Sequence, residues 1–168
     1  MKTLKTISII TLLTIISLIQ GCTKKGDVGP TGKDGSSNVS ATVFQASSWS
    51  WSAPNYYINL NVPEITSENL TSAAIMVYFT KDNIKWTAVP FTQYNSTYNY
   101  FMGFNTSIGQ VQVTWIYDTS LSSGDNPNVY YGVTVQYKVV VIPPAAKKAN
   151  PNVDLSNYNE VKKAFNIE

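Results

Sequence analysis

Val133-Thr134-Val135-Gln136-Tyr137-Lys138-Val139-Val140-Val141-Ile142, closed by Pro143 and Pro144, is the stretch that decides the fold class. Val133, Val135, Tyr137, Val139 and Val141 recur at period two, as on a pleated strand with one face against a core. The two prolines end the ladder because neither carries an amide hydrogen. The same alternation runs upstream: Tyr56, Ile58, Leu60 and Val62 share one face while Tyr57, Asn59 and Asn61 take the other. Tyr98, Tyr100, Met102 and Phe104 form another such face, and Val111, Val113, Trp115 and Tyr117 oppose Gln110, Gln112 and Thr114.

Two further segments complete the set. Ala73 to Thr80 is apolar on both faces, which predicts a central strand. Ile84 to Phe91 carries Trp86 but is interrupted by Pro90, which predicts an edge or a bulge. With Thr42 to Ala46 in front, this makes about seven strands, separated by turn formers such as Lys81-Asp82-Asn83 and Ser123-Gly124-Asp125-Asn126-Pro127. That number and spacing predict an all-β protein, an immunoglobulin-like β-sandwich whose two sheets bury their alternating faces. Aromatic packing has to hold it, since the chain has a single cysteine. After Pro144 the period changes: Leu155, Tyr158, Val161 and Phe165 recur at three and four, with Asp154 or Ser156 able to cap and Lys162 and Lys163 near the helix end. A helix of about ten residues is marginal alone, so it should dock its apolar stripe on the sandwich.

The N-terminus has a different character. Lys2 and Lys5 precede an uncharged run from Thr6 to Thr23 that is rich in Ile and Leu and ends at Gly21 and Cys22. A basic start, an apolar middle and a small residue before the break are the layout of a secretory signal, with a retained transmembrane helix as the alternative. The run Leu18-Ile19-Gln20-Gly21-Cys22 resembles the lipobox of bacterial lipoproteins, with Gly21 before the cut, Ile19 at the aliphatic position and Gln20 where a smaller residue is usual. The resemblance implies a diacylglycerol on the Cys22 sulfur and a mature chain that begins there. A lone cysteine in an exported chain otherwise stays free or pairs between chains, and two or three acyl chains anchor durably where one does not.

Residues 22–40 follow as a tether. Gly26, Gly29, Gly32 and Gly35 stand at a strict period of three with Pro30, Lys33 and Asp34 between them. That is the spacing of a collagen triple helix, but four triplets with one proline are too few to hold three chains. A flexible polar spacer is the expectation, reaching at most about 60 Å at about 3.1 Å per residue. A monomer is expected. The order of lipobox, lysines, Gly26-Asp27-Val28-Gly29-Pro30-Thr31-Gly32 and a β domain is similar to a group of uncharacterised lipoproteins from Bacteroidota. The strand Tyr137 to Pro143 and the run Asn157-Tyr158-Asn159-Glu160-Val161-Lys162 extend that likeness to the C-terminus. The resemblance implies an outer-membrane lipoprotein, on the periplasmic side or at the cell surface, and no activity. The acidic export signal that follows the cysteine in some of those proteins is replaced here by Lys24 and Lys25, with Asp27 isolated.

Composition narrows the chemistry. All 12 basic residues are lysines and the chain has no histidine; without Lys2 and Lys5, the remaining lysines balance the 10 acidic residues. A balanced charge gives no electrostatic case for nucleic acid. Absent histidine removes the usual zinc ligand and triad base, and absent arginine removes bidentate gripping of phosphate. All aromatic residues lie after residue 43, so the expected division is 1–21 signal, 22–40 tether and 41–168 sandwich with its helix. No cofactor and no catalytic residue is expected.

Three groups of residues are candidates for something more. Trp49 and Trp51 flank Ser50, so an extended segment would set both rings on one face as a platform for sugar rings; tryptophans at that spacing more often fill a core or cover a sheet edge. Asp118, Asp125, Asn126 and Asn128 offer oxygen ligands around one loop, but match no ordered calcium loop and are ordinary turn formers. Glu64 and Glu68 are a conceivable acid and base for glycoside hydrolysis, although such carboxylates beside Pro63 more often lie solvated on the surface. Asn38, Asn69, Asn95 and Asn105 each open an Asn-X-Ser/Thr sequence and receive no role. The expectation is therefore a lipid-anchored envelope protein with a non-catalytic domain for binding, adhesion or structure. A carbohydrate-binding lipoprotein using Trp49 and Trp51 is the alternative, and a glycoside hydrolase a distant third.

Overall fold

Tyr137, Val139 and Val141 point from their strand into the space between two sheets, while Val140 and Ile142 point the opposite way into a second apolar layer; all five are buried. The structure, a computed structural model, describes residues 38–94, 99–117 and 126–168. Its strands are β1 (Ser40–Gln45), β2 (Ser50–Ser52), β3 (Asn55–Asn61), β4 (Ala74–Thr80), β5 (Thr87–Val89), β6 (Phe91–Tyr94), β7 (Asn99–Ser107), β8 (Gln110–Tyr117) and β9 (Gln136–Ile142). Among the described residues the helices are α1 (Ser67–Ser72), α2 (Pro127–Tyr131), α3 (Pro144–Ala149) and α4 (Tyr158–Phe165). The signal segment, Cys22, the glycine triplets, Tyr98, Asp118 and Asp125 lie outside the described residues, as does the side chain of Tyr117.

The strands form two antiparallel sheets, ordered β1-β9-β4-β5 and β2-β3-β8-β7-β6. The order β2-β3-β8-β7 is that of strands A-B-E-D in a constant-type immunoglobulin sandwich, and β4-β9-β1 is that of C-F-G. The first strand among the described residues fills the place of the last one, and α3 and α4 follow β9 where a seventh strand would come. This is the expected sandwich, with nine strands among the described residues instead of about seven.

The two differences in strand boundaries have local causes. The segment from Ile84 to Phe91 is split: β5 joins the four-stranded sheet, and after Pro90 β6 joins the five-stranded one by pairing with β7. Pro90 has no amide to continue a ladder, so the chain changes sheets there. The long strand starts at Gln136 instead of Val133, because the Asn128 side chain accepts the Val135 amide (3.1 Å) and leaves Val133 44% exposed. Asn128 also donates to the Ala46 carbonyl (2.5 Å), which ties the end of β1 to α2.

The space between the sheets is filled as the alternation predicts. Leu60, Val62, Val77, Tyr100, Met102, Val111, Val113 and Trp115 are buried there with the inner face of β9. Trp115 stacks on Tyr100 with ring centres 3.8 Å apart, and Tyr130 and Tyr131 of α2 close that end of the core against it. Asn126 caps α2, its side-chain oxygen accepting the amides of Asn128 (3.0 Å) and Val129 (3.2 Å).

The outer face of the four-stranded sheet is covered over β4 and β9, while Val43 of β1 stays 48% exposed. Tyr78, Val140 and Ile142 pack beneath Ala146, Tyr158, Val161 and Ile167 of the C-terminal segment. This explains why β4 reads as apolar on both faces, and it adds a second buried face to β9, whose alternation pointed to one: each strand serves the sandwich core on one side and a helical layer on the other. Asn157, not Asp154 or Ser156, caps α4 by accepting the Asn159 amide (3.1 Å); Asp154 instead accepts the Ser156 amide and hydroxyl in the turn before it. Lys138, only 4% exposed, ties this layer down from below: its ammonium donates to the Tyr158 hydroxyl (2.5 Å) and to the Glu168 main-chain oxygen and lies 4.8 Å from the centres of the Trp86 and Tyr158 rings.

Burial raises the phenol pKa of Tyr78, with Tyr158 and Asp154 nearby adding to the effect; it raises those of Tyr131 and Tyr137 as well. Each ring stays neutral in the fold at a pH where the unfolded chain, titrating near about 10, has lost its proton. A group raised in this way contributes fully below its unfolded pKa and loses that contribution as pH rises above it. Stability should therefore fall as pH is raised from about 9 to about 11. Tyrosinate absorbance should grow together with the loss of near-ultraviolet circular dichroism; complete tyrosine ionisation in a still-folded protein would contradict this account of the core.

Candidate binding site

The outer face of the five-stranded sheet is the opposite of the helix-covered one. It carries an open cleft of about 870 Å³, within the range of small-ligand sites. The cleft follows from pleat and register. Because Tyr100, Met102 and Phe104 point inward, Phe101, Gly103 and Asn105 of β7 point outward. Pairing then aligns three rungs across β3, β8 and β7: Asn55, Ile116 and Phe101; Tyr57, Thr114 and Gly103; Asn59, Gln112 and Asn105.

The middle rung is the low point, since Gly103 has no side chain. Phe101 uses that space: a Cβ built on Gly103 would stand 2.6 Å from its ring edge. The phenyl ring therefore reaches along the strand to the space above the glycine and remains 40% exposed. Gln112 donates through Nε2 to Asn59 Oδ1 (3.0 Å), which fixes the amide at one wall. Asn55 Oδ1, in the rung beyond, is buried without a hydrogen-bond partner among the described residues. Among the described residues no lysine, aspartate or glutamate lines the cleft. It presents an aromatic face, amides and hydroxyls, which hold and orient a ligand by stacking and hydrogen bonding.

The residues singled out from sequence lie elsewhere. Trp49 packs edge-on against Tyr137 (6.1 Å between ring centres) as part of the core periphery. Trp51, in β2, lies against its cross-strand neighbour Tyr56 (4.6 Å). Both indoles are half-buried and each is engaged with a different tyrosine. Glu64 lies in the turn after β3, with Oε2 buried and unpartnered among the described residues, whereas Glu68 is exposed in the first turn of α1. The side-chain oxygens of Asn126 and Asn128 accept backbone amides, as capping and strand-end groups. Among the described residues no three His, Cys, Asp or Glu side chains converge as a metal site, and no helix is long and apolar enough to cross a membrane.

Phe101, Gly103 and Asn105 were not singled out from sequence, where β7 was read only for its inward face. Their signal is an aromatic residue two places before a glycine on the outward set of a strand. No family model, curated protein or solved structure matches the chain.

Proposed function

We propose that this is a lipid-anchored cell-envelope protein in which a non-catalytic β-sandwich binds a ligand on the outer face of its five-stranded sheet. The observation that carries the binding role is the asymmetry of the sandwich. One outer face is covered over its two central strands by the C-terminal segment, and the other holds an open cleft floored by a glycine and lined by aromatic, amide and hydroxyl groups. Support for the anchor comes from the apolar leader that ends at Gly21 and Cys22, and residues 22–40, rich in glycine and polar side chains, suit a tether between lipid and domain.

The anchor is tested by the fate of the Cys22→Ser chain in cells. The parent chain should partition with membranes and carry a mass increment of acyl chains on Cys22, and the variant should move to the soluble fraction or keep its leader. A free, unacylated Cys22 thiol in the native material would overturn the anchor. Protease treatment of intact cells then reports which side of the membrane the domain occupies.

A further inference from the structure

We propose that the ligand of the outer-sheet cleft is a neutral oligosaccharide, stacked on the ring of Phe101 and hydrogen-bonded by the surrounding amides. The proposal rests on the binding role above and specifies its chemistry.

The cleft selects for three properties. Phe101 offers a ring that is 40% exposed and reaches along the strand to Gly103, with a quadrupole that is negative above its plane. A pyranose presents polarised C–H bonds to such a face, a contact that fits ring to ring. Asn105 and Gln112 flank that surface, and Thr114 stands in the middle rung. A carboxamide both donates and accepts, as does a hydroxyl, so neighbouring amides suit the mixed donor and acceptor pattern of vicinal sugar hydroxyls. Among the described residues the lining lacks any charge. A ligand carboxylate, sulfate or phosphate would be desolvated there without a cation to meet it, which is costly, so the saccharide has to be neutral.

Gly103 gives the proposal its specific signature. A methyl at that position would collide only with the mobile end of Phe101, so the backbone tolerates it while the ring is pushed off the sheet. Gly103→Ala and Phe101→Ala should therefore damage the same interaction by different means, and the double variant should bind no worse than Phe101→Ala alone.

The test uses the full chain purified from both the membrane and the soluble fractions of lysed cells, in detergent, and electrophoresed through gels containing neutral polysaccharides (a glucan, a mannan or a xylan) or anionic ones (an alginate or a pectate). Retardation by at least one neutral polymer and by neither anionic one is expected. Phe101→Ala should weaken that binding about tenfold or more, with an unchanged far-ultraviolet circular dichroism spectrum. No retardation by any neutral polymer, stronger retardation by the anionic ones, or full binding by Phe101→Ala would overturn the proposal; so would loss of binding in Trp51→Ala alone, which would place the saccharide on β2. Membrane partitioning is scored on the same preparations. An anchored chain that ignores saccharides defeats this inference and leaves the anchor standing, and a saccharide-binding chain found soluble does the reverse.

Discussion

Trp115→Ala should lower the free energy of unfolding by about 3–5 kcal/mol, the cost of truncating a buried tryptophan to a cavity. Trp115 lies on β8, third of five strands in its sheet, with no exposed surface. It is held between the stacked ring of Tyr100 and the two tyrosines of α2. None of these neighbours can collapse into the space without leaving its own contacts, because Tyr100 also packs edge-on against Phe91 and hydrogen-bonds to Tyr131 and Gln93. Against a total of about 5–15 kcal/mol for a domain, the loss is a large share. A urea titration followed by circular dichroism measures it, and Trp115→Phe should recover most of the deficit. A cost below about 1 kcal/mol for the alanine variant would mean that the four-ring cluster is not the centre of the core.

Lys138→Ala should cost about 2–4 kcal/mol, and Lys138→Met distinctly less. Alanine removes the aliphatic stem and the ammonium together, leaving a void between Trp86 and Tyr158 and taking the donor from the Tyr158 hydroxyl and the Glu168 main-chain oxygen. Methionine restores the volume but not the donor. The damage should be local, because Lys138 points away from the sandwich core: amides of residues 158–167 should exchange with solvent much faster while those of β8 keep their protection. Equal costs for the two variants would show that packing of the stem contributes nothing. A methionine variant more stable than the parent would show that desolvating the ammonium costs more than its contacts return, as buried charges sometimes do.

The inner faces were legible in the sequence because the pleat alone fixes them. Val111, Val113 and Trp115, or Tyr100 and Met102, have to share a side wherever their strand runs, and a water-filled cell leaves one place for that side to go. The two-sided apolarity of residues 73–80 was legible as centrality, but its fuller cause, a helical layer pinned by Lys138, depends on a segment that lies 60 or more residues further on. Pro90 announced an interruption without announcing a change of sheet, since the destination of β6 is set by its pairing with β7. The cleft was hidden for the same kind of reason. Phe101, Gly103 and Asn105 are unremarkable along the chain, and they become a surface only when register sets Thr114 and Tyr57 beside the glycine.

One seat in the sandwich has a mechanical meaning. β1, the strand nearest the N-terminus, is paired along all six of its residues with β9, the strand on which both apolar layers are built. Its ladder bonds stand perpendicular to the strand axis, so a tug transmitted down the preceding chain along that axis shears every bond of the ladder at once instead of peeling them apart in turn. If the proposed anchor and ligand both hold, a domain hung by this strand resists drag on that ligand, and its weakest link under load is to be sought elsewhere.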